Sequence, residues 1–223
     1  MEPNYVQRLR IKFRKFGATR FISHLDIART WERSLNRSKI PMAYTQGFNR
    51  RPRMQFATAT PLGTTSDCEY LDIWLKEHLK PAEAKEKILS RIAPGLDVVE
   101  IVDVPTNTEA LQNRTVNTTF QVTLRDDVPV ETLQARIIAT LEADEIIRER
   151  TVKKKRKRYD LRPLIQDLKL VPSQNDAGPL VIEMKLTLEP SKTGRPDEVL
   201  KTLELDPLSV RTHRIDVEFR PEK

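Results

Sequence analysis

The chain has 223 residues, 38% of them hydrophobic and 32% charged, with 39 Lys and Arg against 32 Asp and Glu. That length allows one large domain or two small ones with a buried core, and apolar runs of only a few residues exclude a transmembrane helix. One cysteine, Cys68, excludes an internal disulfide and a cysteine-built metal site, and the N-terminus MEPNYVQRLRIKF lacks the apolar stretch of a secretory signal, so the expected location is cytoplasmic with no membrane attachment.

Arg8 to Phe16 alternates, with Leu9, Ile11 and Phe13 on one side and Arg8, Arg10, Lys12 and Arg14 on the other. This predicts a half-buried strand with a basic outer face, ended by Gly17. Ser23 then precedes a helical pattern of Leu25, Ala28, Trp31 and Leu35. Ser23 is a good N-cap, Asp26 three residues on completes a capping-box variant, and Pro41 stops the helix. In the segment TQGFNRRPRMQF, Gly47 permits a turn with positive φ, and Pro52 confines the strand to an edge or a bulge until about Met54. Glu69 to Leu75 alternates as a strand, Pro81 opens a second helix at its first position, and Leu96 to Val104 is a fourth strand. The order β-α-β-β-α-β predicts a ferredoxin-like domain over residues 1–105.

Residues 106–117 are polar and read as a linker. Beyond them, Thr118 to Leu124 predicts a strand and Val130 to Leu141 a helix. Ile146 to Val152 begins a second strand that carries a basic insertion, 153–175, outward; within it Asp160 and Arg162 suggest a local pair. The strand LVIEMKLTLE, a short helix from Pro196 and a last strand, Val210 to Phe219, follow. This gives a second ferredoxin-like domain over 118–223. The expected fold class is therefore α+β, two tandem ferredoxin-like (βαββαβ) halves with antiparallel sheets and helices on one face.

Charge is unevenly placed. Residues 1–60 hold 13 Lys and Arg against 3 Asp and Glu, residues 61–150 hold 10 against 17, and residues 151–223 hold 16 against 12. Two basic ends around an acidic middle suit a polyanion on one face, unless the middle neutralises the ends in space. Three constellations stand out. Phe48, Asn49, Arg50, Arg51 and Arg53 combine guanidinium forks, which match phosphate bidentately, with a ring that can stack on a base; Arg10, Lys12 and Arg14 can add to the same field. The alternative is a solvated edge loop. Lys153, Lys154, Lys155, Arg156, Lys157 and Arg158 are six consecutive cations, suited to a phosphate backbone or to the acidic patch of a partner protein. His24 is the one candidate catalytic residue, as a general base or phosphate contact, whereas Ser23 and Asp26 are better explained as helix cap and partner. Glu69 and Asp72, three apart on a strand, point to opposite faces and are expected to be structural. His24, His78 and His213 are scattered and no Gly-rich phosphate loop occurs, so neither a metal site nor a cofactor is expected.

The combination RLRIKF, RFISHLDIARTWERSL and IPMAYTQGFNRRPRMQFATATPLGTTSDCEYLDIWL resembles a bacterial domain of unknown function, DUF2344, also called the radical-SAM-linked protein family. Its SHLD hallmark lies at Ser23 to Asp26 and its S-x-GFxPxP segment at Thr45 to Arg53. KKKRKRYDLRPLI and GRPDEVLKTL fit too, so the resemblance spans nearly the whole chain. Thr45 stands where serine is common and Arg50 where proline is common. The resemblance implies a radical-SAM protein of the cobalamin-binding type as partner. The chain has no CxxxCxxC and cannot hold that cluster itself, and the family offers no catalytic residues to carry over.

Three functions stay open. The first is a non-catalytic accessory that presents RNA or an RNP to a radical-SAM enzyme through its basic surface. The second is an RNA-processing or RNA-modifying enzyme using His24. The third is a protein-only adaptor. Tandem ferredoxin-like chains recur in RNA-handling proteins, an analogy of fold alone.

Overall fold

The computed structural model describes residues 4–152, 155–171 and 178–221. Over them the chain is a mixed α+β protein with mostly antiparallel strand pairing and few helices. It divides into two compact units, Met1–Arg114 with Arg220–Lys223, and Thr115–Phe219.

In the first unit, strand β1 (Gln7–Lys15) pairs antiparallel with both β3 (Thr65–Leu75) and β4 (Leu96–Val104), and the short β2 (Met54–Phe56) pairs with β3. The order is thus β4-β1-β3-β2. Alternation along β1 decides the faces. Leu9, Ile11 and Phe13 are fully buried and share a core with Leu71, Ile73 and Leu75 of β3. Helices α1 (His24–Arg37) and α2 (Pro81–Leu89) add Trp31, Leu35, Ala84 and Ile88 to that core. The Trp31 and Phe13 rings meet edge to face with centroids 4.9 Å apart. Each large side chain buried this way contributes about 1.5–3 kcal/mol.

Helix α1 begins at its expected cap. Ser23 Oγ accepts the Asp26 N–H at 3.2 Å and donates to the Asp26 carboxylate at 2.7 Å. One orphan backbone donor is satisfied, and a carboxylate is held in the first turn, where the helix dipole favours it. The buried stripe differs from the expected one. Ile27, Trp31, Ser34 and Leu35 are buried, whereas Leu25 is 70% exposed. Leu25 lies about 120° round the helix from Trp31, too far for one stripe to take both.

Gly95, which precedes β4, has φ +86°, and a Cβ there would sit 2.5 Å from Thr19 Cγ2 and 2.9 Å from the Phe16 carbonyl oxygen. Its carbonyl accepts the Phe16 N–H at 2.9 Å and the Thr19 hydroxyl at 3.0 Å. This ties the 3-10 turn Gly17–Phe21 to the start of β4. The short α3 (Leu111–Arg114) closes the segment, and Arg220 docks on its end. The Arg220 N–H donates to the Arg114 carbonyl at 2.8 Å, and Arg114 Nη2 donates to the Arg220 carbonyl at 2.7 Å.

In the second unit, β5 (Thr115–Leu124) pairs antiparallel with β9 (Val181–Glu189) and with β11 (Val210–Phe219). β8 (Ile165–Val171) and the two-residue β10 (Lys192–Thr193) both pair with β9. Helices α4 (Val130–Glu142) and α5 (Pro196–Thr202) supply Leu133, Ile137, Val199 and Leu200 to a core with Phe120, Val122, Ile182, Met184 and Leu186. The strand that follows α4 in this sheet is β8, not the expected Ile146–Val152. β6 (Ile147–Val152) instead pairs with β7 (Lys155–Asp160) as a separate two-stranded hairpin. The reason lies in the residues. Arg148, Glu149 and Arg150 stand in a row and leave β6 no continuous apolar face, whereas β8 offers Ile165 and Leu168, both buried. Asp160 and Arg162 form no side-chain ion pair. Asp160 Oδ1 accepts the backbone N–H groups of Ile146 and Arg162, while the Arg162 guanidinium donates to the carbonyls of Leu141 and Ile165.

Candidate functional site

The family-like segment after α1 folds as a hairpin loop on the first unit. Its base is held by alternating backbone bonds. Ala43 N–H donates to Trp74 O at 2.7 Å, Arg53 N–H to Ala43 O at 2.7 Å, and Trp74 N–H to Arg53 O at 3.1 Å. Higher up, Tyr44 bridges Pro52, and Thr45 N–H donates to Arg51 O at 2.8 Å. Arg51 N–H returns a bond to Thr45 Oγ1 at 3.1 Å. A serine hydroxyl would accept that bond equally well, which accounts for Thr45 standing in a serine position. Pro52 has no N–H to give, and the donors on either side of it close the loop. Gly47 sits at the tip with φ +128° in open space, so its role is conformational.

Above this base Phe48 is fully exposed, at 114% of its reference area. Arg50 and Arg51 are exposed as well, and among the described residues neither has an ion-pair partner. Beside them lies a depression of about 390 Å³ lined by Asn4, Tyr44, Thr45, Gln46, Gly47, Arg50 and Lys76. Lys76 Nζ lies 5.4 Å from the Tyr44 ring centroid, and the Tyr44 hydroxyl donates to Asn36 at 3.1 Å. Asn49 is exposed on the same tip. Arg53 is placed differently. Its guanidinium lies 4.6 Å from the Tyr5 ring and 5.1 Å from the Trp74 ring. It packs on aromatic faces at the loop base.

The cations of β1 are largely neutralised inside the unit. Arg8 is 1% exposed and Asp72 1%, with Nη2 to Oδ2 at 2.5 Å. Arg10 meets the same carboxylate at 2.9 Å. Arg14 faces Asp67 at 3.4 Å and Asp97 at 3.6 Å, and Lys12 lies over Tyr70 at 5.9 Å. Arg8 therefore does not belong to a basic outer face, and Asp72 is the anion that holds Arg8 and Arg10.

The opposite face of β1 carries a second cluster, in which Lys15, not singled out from the sequence, joins His24 and Glu69. Lys15 continues the inner row of Leu9, Ile11 and Phe13 and is 2% exposed. Glu69, also 2% exposed, pairs in register with Phe13. With His24 at the first position of α1, they line a narrow cleft together with Ile27, Phe56, Thr58 and Thr60. The His24 ring meets Phe56 edge to face at 5.1 Å. Burial lowers the His24 pKa below its ordinary 6.5; Glu69 opposes the shift and Lys15 adds to it. The shift favours the neutral imidazole, the form a general base needs. A cation on an apolar alternation was the signal available for Lys15.

Of the basic run, Lys153 and Lys154 lie outside the described residues, and of the side chains of Lys155 and Lys157 nothing is described. Arg156 and Arg158 are exposed on β7, the latter 3.9 Å from Glu149, which is also exposed, a pair of little energetic weight. Next to this hairpin the second unit holds a cavity of about 370 Å³, whose lining includes Arg150, Tyr159, Asp160, Gln166, Glu189 and Lys192. Among the described residues no group of three His, Cys, Asp or Glu is placed to hold a metal ion. Nor, among them, is any helix long and apolar enough to cross a membrane.

These features define a mixed α+β protein with a cationic, aromatic loop on its first unit and a mixed-charge cavity in its second. The chain belongs to the family described as "Uncharacterized protein conserved in bacteria (DUF2344)", whose family model matches residues 8–196. No curated protein matches it. Among solved structures it is similar to a chain of a Cbf5-Nop10-Gar1 complex, at 9% identity and a TM-score of 0.49, covering 97% of this chain and 51% of that one. It is also similar to a chain of an H/ACA RNP bound to a substrate RNA containing 2'-deoxyuridine, at 7% identity and a TM-score of 0.41, covering 91% and 46%. The chain thus spans about half the length of the solved chains it matches.

Proposed function

We propose that the protein is a non-catalytic, cytoplasmic accessory that binds single-stranded RNA through the loop between Tyr44 and Pro52 and serves a modifying enzyme. One observation carries this reading. A fully exposed Phe48 shares its loop with exposed Arg50 and Arg51, which have no carboxylate partner among the described residues, and Arg50 lines a depression together with Lys76 and Tyr44. An exposed phenylalanine contributes nothing to its own core, whereas a ring among cations is the pattern on which unpaired bases stack and phosphates dock. That the enzyme served is a radical-SAM protein is what the family resemblance adds. The strand orders β4-β1-β3-β2 and β11-β5-β9-β8 support reading the two units as tandem ferredoxin-like halves.

The test is RNA binding by the whole chain across a salt series. Phe48→Ala should weaken binding by about tenfold, the worth of one stacked base. Absence of RNA binding at low salt sinks the proposal. Recovery of a radical-SAM protein that survives nuclease treatment, but is lost on reversing charges at Arg156 and Arg158, would favour the protein-only adaptor instead.

A second reading, an RNA-processing enzyme, is supported by the cleft in which His24 stands beside the buried Lys15 and Glu69. Any RNA turnover that persists unchanged in His24→Ala would remove it.

A further inference from the structure

The second unit holds a cavity of about 370 Å³, to which the loop of the first unit contributes no lining residue. Its walls come from the β6–β7 hairpin on one side and the β9–β10 turn on the other. The volume falls within the roughly 300–1,000 Å³ common to small-molecule sites. Five polar side chains lining it have no hydrogen-bond or ion-pair partner among the described residues: the partly buried Tyr159, and Arg150, Glu189, Ser191 and Lys192, which are exposed and so open to a ligand from solvent. Arg150 instead lies over the Tyr159 ring, 5.4 Å from its centroid.

The mixture constrains the ligand. Two cations without carboxylates call for an anion. A carboxylate without a cation calls for hydrogen-bond donors on the same ligand, which a simple anion lacks. A flat ring backed by a guanidinium calls for a planar group to stack. We infer that this cavity binds a nucleotide, with its phosphate on Arg150 and Lys192, its base against Tyr159, and donor groups of the base or ribose on Glu189. Burial, with Glu198 adding, raises the Tyr159 pKa, so the phenol stays protonated and able to donate. The nucleotide is either a free mononucleotide or the phosphorylated end of an RNA strand, since both present the same groups.

The experiment is calorimetric titration of the full chain with the four nucleoside 5'-monophosphates, the matching nucleosides, inorganic phosphate and a 5'-phosphorylated RNA tetranucleotide. At least one monophosphate should bind at about 1 mM or tighter, and its nucleoside and phosphate alone about tenfold more weakly. Lys192→Glu and Arg150→Ala should each weaken binding about tenfold or more, with circular dichroism unchanged. Glu189→Gln should weaken it less, because an amide still accepts. Arg50→Ala with Arg51→Ala, in the first unit, should leave it unchanged, which keeps this proposal separable from the loop reading. A tetranucleotide that binds about tenfold tighter than any monophosphate, and loses that gain in Lys192→Glu, identifies an RNA end; equal binding identifies the free nucleotide. No binding of any nucleotide, binding that Lys192→Glu leaves intact, or phosphate alone binding as well as the nucleotides would each overturn the inference.

Discussion

Arg53 and Arg50 stand three residues apart in one basic segment and do different work. Arg53 is clasped against Tyr5 and Trp74, so Arg53→Ala loses stacking and the packing of its stem. The expected cost is about 1–2 kcal/mol in urea denaturation, while Arg50→Ala should leave stability unchanged and lower RNA affinity. Equal stability losses in the two variants would contradict this division. Asp72 is the residue on which Arg8 and Arg10 converge, and removing it strands a fully buried guanidinium. Asp72→Asn should cost about 3 kcal/mol or more, seen as a large drop in the denaturation midpoint. His24 gives a pH dependence with a definite sign. Its folded pKa lies below 6.5, so the unfolded chain binds the proton more readily. Stability is therefore free of this penalty above 6.5 and is lost as pH falls through 6.5 and the lower folded value. Denaturation between about pH 7.5 and about pH 5.5 should show a steeper acid loss in the parent than in His24→Asn, and parallel curves would refute the assignment.

At the scale of elements, Gly95 is the sharpest test of a backbone requirement. Gly95→Ala forces a side chain into a left-handed position and drives its Cβ onto Thr19 and the Phe16 carbonyl. A loss of at least about 2 kcal/mol is expected, whereas Gly47→Ala, strained but in open space, should cost about 1 kcal/mol. The residues explain which elements were legible. β1 could be read because its alternation is strict, and α1 because Ser23 and Asp26 announce its first turn. Leu25 misled because a leucine was counted by type, when the stripe is fixed by angular position relative to Trp31. The second unit misled more because β6 has strand-forming residues at its ends and pairs as a strand, yet with β7 and not with the sheet. Local pattern reports that a segment is extended and is silent on its partner. The loop from Gly47 to Arg53 was legible as a cationic, aromatic turn. The sorting of its arginines was not, since it depends on Tyr5 and Trp74, which come from distant positions in the chain.

For the whole molecule, net charge overstates what a polyanion would meet. Residues 1–60 hold 13 basic against 3 acidic side chains, yet Arg8, Arg10 and Arg14 already face Asp72, Asp67 and Asp97. If Arg50, Arg51 and Lys76 are the groups that displace counterions from single-stranded RNA, the logarithm of affinity should fall against that of salt with a slope of about 2. The double substitution Arg50→Ala, Arg51→Ala should reduce the slope by about 1.4, and a much steeper parent slope would mean that other cations take part. The two units also differ in how the chain closes them. Arg220 bonds to Arg114 in the first unit, while Phe219 pairs with Thr115 in the second. The second unit is thus a long excursion whose two ends are held side by side by its own β5–β11 ladder. Once that ladder forms, the ends that carry Arg114 and Arg220 are already together, and their clasp no longer bears the entropy of closing a long loop. Folding of the excursion thereby brings the partners of that clasp together, and loosening β5 or β11 should be felt at Arg114.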